Sequence, residues 1–137
     1  MAKQVLTNAG VIVNGVDLSD HDSDVTLDIS IAAVPITAMG DGGVANLAGL
    51  ESGKIDITFW QDFAAAQVDA TLVAIRNAGT AVPVKISANG TTISATNPSY
   101  TYQAILTDYP PVAGAVGAGM ASKCSFTASG TVTRGTT

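Results

Sequence analysis

The chain has 137 residues, a net charge of −5 and only 12% charged residues, against 47% hydrophobic ones. An ordinary soluble domain carries about 25% charged residues, so a surface this poor in charge points to extensive cover by other subunits. The acidic balance argues against a phosphate-gripping nucleic-acid binder, because Lys3, Lys54, Arg76, Lys85, Lys123 and Arg134 are scattered and form no basic patch.

The length suits a single domain, residues 1–137. In chain order, "VIVNGVDL" reads as a hairpin, with Asn14-Gly15 able to take the positive φ angles of a two-residue turn between Val11–Val13 and Val16–Leu18. "DVTLDISIAAVPITAM" reads as a long strand. Val25, Leu27, Ile29 and Ile31 face one way, and Asp24, Thr26, Asp28 and Ser30 form a wet face on the other. Pro35 lacks an N–H and belongs at an edge, a bulge or a sheet end. Gly40 to Gly53, with five glycines, reads as a long loop.

From Lys54 to Trp60 the pattern alternates again, Ile55, Ile57 and Phe59 against Lys54, Asp56 and Thr58. The spacing then lengthens to i, i+4, i+7 at Val68, Leu72 and Ile75, which predicts one helix over roughly Asp62 to Asn77. Asp62 is the expected N-cap and Gly79 the expected stop. The narrow, Ala-rich apolar stripe expects the helix to lie against a sheet or a neighbour. A second hairpin is expected around Asn89-Gly90, with arms Val82–Ala88 and Thr91–Thr96. "TYQAILTDYP" is a strand ended by Pro110-Pro111, "PPVAGAVGAGMA" a flexible loop, and "SKCSFTASGTVTR" a last strand with a bulge at Gly130. The count is about seven strands, mostly antiparallel, and one helix.

Chemistry-bearing patterns are sparse. "DLSDHDSD" clusters Asp17, Asp20, His21, Asp22 and Asp24. Alternate aspartates open a calcium loop, but Val25 stands where its glycine belongs and Ile31 where its glutamate belongs, so the cluster reads as a solvated turn. His21 is the lone histidine, and no serine sits in a nucleophile-elbow context to partner it. The glycines of "GDGGVANLAG" lack the Lys-Ser/Thr pair of a phosphate loop. Asn89-Gly90-Thr91 matches a glycosylation acceptor but reads as a turn. Cys124 is the only cysteine and alternates as a buried strand residue, so neither an internal disulfide nor a cysteine zinc site is expected. The first residues lack the apolar core of a secretory signal, and no run reaches a membrane span, so synthesis in a cytoplasm without membrane insertion is expected. No catalysis and no cofactor are expected.

Taken together, "AKQVLTNAGVIVNGVDLSDH", "ITAMGDGG", "LAGLESGKIDITFWQDF", "VDATL", "SATNPSYTYQAILTDYPPVAGAVG" and "FTASGTVTR" resemble, in order and spacing, the major tail tube protein of long, non-contractile-tailed (siphovirus-type) phages of actinobacterial hosts. The resemblance implies an antiparallel β-sandwich or split barrel with one flanking helix that braces the sheet from outside. It implies six-membered rings that stack into a virion tail tube, through which DNA passes on ejection without specific binding. Its implied partners are further copies of the chain, the tape-measure protein, and the tail-tip and tail-terminator proteins. Family members often carry basic residues after "AMGDGG"; Val44 and Ala45 stand there instead, which suggests a more apolar contact between rings. Contacts with neighbouring copies are expected at Val5 within an N-terminal segment Ala2–Asn8, at Gly42, Val44, Ala45, Leu47 and Leu50, and at Pro111 and Val112. Asp24, Thr26, Asp28 and Ser30 are expected to face the lumen. A monomeric β-sandwich binding or decoration module is the alternative reading.

Overall fold

The computed structural model describes residues 3–137. Its strands are β1 (Asn8–Val13), β2 (Val16–Asp17), β3 (Asp22–Pro35), β4 (Asn46–Trp60), β5 (Val82–Ser87), β6 (Asn89–Gly90), β7 (Ser99–Asp108), β8 (Ala121–Ala128) and β9 (Thr133–Gly135), with one helix, α1 (Val68–Ala78), after β4. They form one sheet in the order β2-β1-β5-β7-β8-β4-β3; β6 joins β1 in parallel and β9 extends along β7. All other pairings are antiparallel. The fold is thus mainly antiparallel β with one short helix.

Period-2 alternation divides this sheet into two faces. On one, Val11, Val13, Ile55, Ile57, Phe59, Val84, Ala104, Cys124 and Phe126 are fully buried. Val68, Thr71, Leu72 and Ile75 of α1 close over the same core. On the other face the registers align Asp24 with Thr58, Thr26 with Asp56 and Asp28 with Lys54. The row continues into β8, where Lys123 stands opposite Thr58, Ser125 opposite Asp56 and Thr127 opposite Lys54. Ser125 Oγ donates to Asp56 Oδ1 at 2.7 Å.

The first hairpin turns at Asn14 (φ 50°) and Gly15 (φ 82°), the positive pair its sequence demands. Gly79 ends the helix in the left-handed region at φ 66°, its N–H donating to Ile75 O. Pro35 ends β3, where no ladder N–H is missed. Cys124 is buried, as its alternation implied, and burial together with Asp108 pushes its thiol up to about 12.

Four expectations need correction. The stretch from Gly40 to Gly53 is not one loop: β4 begins at Asn46, and only residues 36–45 connect it to β3. Its pairing with β3 supplies the order that its own composition does not. The helix starts at Val68 rather than Asp62. Asp62 Oδ1 accepts from Ala64 N at 2.9 Å and Oδ2 meets His21, so this side chain caps a turn, and Ala66 at φ 62° interrupts helical geometry. Thr91–Thr96 is not a strand. β5 pairs with β7, and Asn97 knits the intervening loop by accepting from Asn89 N and donating to the carbonyls of Asn89 and Thr92. The last strand is split by Ser129-Gly130, with Gly130 at φ 123°, into β8 and β9.

Candidate assembly interface

β3 and β4 outrun the rest of the sheet. β8 stops pairing with β4 at Lys54, yet β3 and β4 continue together to Pro35 and Asn46. The distal hairpin therefore leaves the core as two strands. Its only charge between Ile29 and Leu50 is Asp41, whose carboxylate accepts from Ala38 N at 2.7 Å. Ile29, Ile31, Val34, Ile36, Met39, Val44, Leu47 and Leu50 are all exposed, Leu50 at 88%. Val25 and Leu27, on the face they share with Ile29 and Ile31, are half-buried because there the core still backs the strand.

Both hairpin faces are apolar. A register shift between Ile31 and Ala33 sets Leu50 in a bulge. Beyond it Ala32, Val34, Leu47 and Gly49 continue the face that carried Ser30 and Ser52. Gly49 is needed there, since a Cβ would come within 2.9 Å of the Val34 side chain.

Of the residues singled out from sequence, Gly42, Val44, Ala45 and Leu47 gather near this tip and Leu50 lies lower on the hairpin. All are exposed except half-buried Ala45, whose N–H and C=O are taken by Thr37 and Ile36. Val5 is exposed in the coil before β1; Ala2, at the start of that expected contact segment, lies outside the described residues. Pro111 and Val112 lie far away, at the opposite end of β4. Asp24, Thr26, Asp28 and Ser30 are exposed on one face, as their alternation implied.

Reasoning from sequence did not single out three further surfaces. The outer edge of β3 has no strand partner among the described residues. At the other end of the sheet, β1 is covered: Val11 N donates to Ser19 Oγ and Val11 O accepts from Leu18 N. Between the two ends lies an open cleft of about 590 Å³, lined by Leu6, Ala9, Val25, Leu27, Ile86 and Tyr100 with no charged side chain. The third surface sits at the base of β4. Trp60, paired with Ala121 and packed close to Gly119, is 49% exposed, and Phe63, three residues further on, is 58% exposed. Trp60 follows Phe59 in the alternation, so its outward direction was open to inference.

Around this base the hydrogen bonding is dense. Gln61 N donates to Met120 O, and Gln61 Nε2 donates to Pro111 O and Tyr109 Oη. Tyr109 Oη donates to Asp69 Oδ1 at 2.7 Å, tying the 109–120 loop to α1. His21 lies between Asp20 (Nδ1, 2.7 Å) and Asp62 (Nε2, 3.0 Å). Burial alone would lower its pKa, but the two carboxylate hydrogen bonds outweigh that and raise it above the ordinary value. Asp62 is held low by the Ala64 N–H and by His21. This arrangement latches the β2–β3 turn to the segment before α1. Among the described residues, no three His, Cys, Asp or Glu side chains converge as a metal site would require.

No protein-family model matches the chain, and no curated protein matches it. Solved structures do. A chain from "Virion of native gene transfer agent (GTA) particle" superposes with TM-score 0.75 at 11% identity, over 96% of this chain and 98% of that one. A chain from "Tail of empty GTA particle computed with helical refinement, C6 symmetry" gives 0.70 at 12% identity, over 92% of each. A chain from an extracellular contractile injection system, "PVC sheath/tube terminator in extended state", gives 0.71 at 16% identity, over 98% and 97%. Nearly complete coverage on both sides, at identities too low to carry more than architecture, gives this chain a tail-tube-like fold.

Proposed function

We propose that this chain is the structural subunit of a tail tube. Copies join side by side into rings, rings stack, and the resulting conduit passes DNA during ejection. The observation that carries this reading is the distal β3–β4 hairpin. A lone two-stranded hairpin is marginal in water, and this one is apolar on both faces with one charge between Ile29 and Leu50. Such a hairpin makes sense when neighbouring copies cover it. The free β3 edge and the apolar cleft beside it suit a lateral neighbour, since pairing across copies removes an edge that would otherwise recruit other chains.

Six copies per ring is the stoichiometry we favour, supported by the C6 symmetry of the similar GTA tail. Within the tube, the sheet face bearing Asp24, Thr26, Asp28 and Ser30 lines the lumen. Acidic and hydroxyl groups repel or ignore phosphates, which suits transit without binding. The resemblance of the segments quoted above supports extending the proposal for this chain to long, non-contractile, siphovirus-type tails of actinobacterial phages. Its partners are then the tape-measure protein inside the lumen and the tail-tip and tail-terminator proteins at the ends, and its location is the virion after synthesis in the host cytoplasm.

The test is light scattering and negative-stain electron microscopy of the purified chain over rising concentration. Rings six times the 13.7 kDa chain, or hollow stacks of them, are the expected result. A monodisperse monomer throughout, also in the presence of tail-tip complex, would refute it in favour of a binding module.

A further inference from the structure

We infer that Glu51 is a positioning residue: it clamps the root of the β3–β4 hairpin to the C-terminal segment and so fixes the direction in which the hairpin leaves the core. The clamp is read from contacts within one chain, and its bearing on assembly rests on the tail-tube reading.

Glu51 stands at an unexpected place for a charge. It pairs with Ile31, and alternation puts it on the face of buried Gly53 and Ile55, with Ile29 opposite Gly53. A carboxylate on an apolar face needs a donor, and this one has it. Glu51 Oε1 accepts from Val132 N at 3.1 Å, across 81 residues of sequence.

The route of the chain end explains the donor. The last pair of β8 with β4 sets Thr127 opposite Lys54. Ser129 N still donates to Gln103 O, then Gly130 at φ 123° turns the chain out of the ladder, and β9 rejoins β7 where Thr133 pairs with Thr101. Val132 lies in this excursion. Its side chain packs against the core, and Gly53 leaves room for it: a Cβ there would come within 3.1 Å of both Val132 Cγ2 and Ala128 Cβ. The Glu51 carboxylate therefore holds a backbone N–H at the point where β4 has lost its ladder with β8. The next residue, Leu50, is 88% exposed, and on β3 the register shift between Ile31 and Ala33 begins. A bulge bends a strand, so the clamp is the last fixed point of β4 before its bend.

Beyond that point the hairpin is a lever. At about 3.4 Å per residue, Glu51 to Asn46 spans roughly 17 Å, so a swing of about 20° at the root displaces Asn46 by about 6 Å. Pre-organised partners move their interface backbone by no more than about 1 Å on binding. A hairpin free to swing occupies the binding-competent direction only part of the time, and the apparent affinity falls by that fraction. An unclamped subunit that holds this direction about a tenth of the time assembles at about tenfold higher concentration.

Double electron–electron resonance tests the clamp in dilute, unassembled protein. Nitroxides are placed at Val44→Cys, near the exposed tip, and at Ala74→Cys, on the exposed side of α1, with buried Cys124 retained. The otherwise wild-type chain should give one narrow distance distribution, and Glu51→Ala should widen it by about 6 Å, the swing of the lever. Glu51→Gln should restore the narrow distribution, because an amide oxygen accepts the same N–H. Amides of Ile57 and Cys124 should keep wild-type hydrogen-exchange protection in both variants, which a general loosening would not allow. In sedimentation velocity of the unlabelled chains, the onset of assembly should rise about tenfold in Glu51→Ala and stay at the wild-type value in Glu51→Gln. Equal widths for Glu51→Ala and wild type, failure of Glu51→Gln to rescue, or an unchanged onset in Glu51→Ala would each overturn the inference. A wild-type chain that never assembles would remove the tail-tube reading alone, and the distances would still decide the clamp.

Discussion

Replacing Leu50 with aspartate separates folding from assembly. Leu50 is 88% exposed in the monomer, in the β4 bulge where the hairpin has left the core. Its removal costs the isolated subunit little, within about 0.5 kcal/mol, as for other surface changes. On the proposed tail-tube reading the same side chain is covered in the assembly. Burying a whole leucine is worth about 1.5–3 kcal/mol, and nearly all of this remains available at 88% exposure. Taking about 2 kcal/mol per contact, its loss weakens each subunit contact roughly 30-fold. A carboxylate forced into that contact adds several kcal/mol of desolvation.

Every subunit of a ring carries the substitution, so the effect repeats with each contact. Leu50→Asp should melt like wild type in dilute solution, yet need at least about 30-fold more protein to assemble. Sedimentation velocity over a concentration series measures the onset, and differential scanning calorimetry on the monomer measures the stability. Assembly at the wild-type concentration would refute the reasoning. So would a destabilised monomer, because Leu50 would then be packing within its own chain.

Three further outcomes follow from the same geometry. Leu72→Ala removes a fully buried contact between α1 and the sheet; it should cost about 3 kcal/mol and lower the thermal midpoint by about 10 °C, measured by circular dichroism. The His21 latch should give a pH signature: with the folded pKa raised above 6.5, its stabilisation is complete below 6.5 and fades as pH rises through the folded value. Asp62, lowered from 3.8, contributes above that value and loses its contribution as pH falls through its lower folded pKa, so the latch is strongest between the two. Urea denaturation at several pH values, comparing wild type with His21→Gln, should show their difference shrinking above neutrality; a difference that grows with pH would contradict the assignment. Asp28→Lys, facing Lys54 on the polar sheet face, should slow DNA ejection from assembled particles, and unchanged ejection would place that face outside the lumen.

Much of the sheet was legible because alternation records a strand with one dry and one wet face. Ile55, Ile57 and Phe59 are wholly buried and Lys54 points out, as that rhythm implies. Asn14-Gly15 and Gly79 were legible for another reason, since positive φ restricts the residue itself. The expectations that failed depended on distant partners. Thr91–Thr96 has strand-forming residues, but β7 takes the edge of β5. Asp62 has the chemistry of a helix cap, but His21, 41 residues away, engages one of its oxygens and Ala64 N the other.

The misread start of β4 is the informative failure. "NLAGL" shows no alternation because neither of its faces meets the core of its own chain, and neither carries a charge. A strand wet on one side would show polar residues at every second position, as Asp24, Thr26 and Asp28 do on β3. Glycine and alanine made the segment look like loop, although its pairing with β3 is continuous apart from one bulge. A strand that is paired and uncharged yet dry on neither side within its own chain is the pattern the proposed assembly requires. Its missing period is therefore what the tail-tube reading expects of a surface covered by a neighbouring copy, and it marks the surface on which that reading rests.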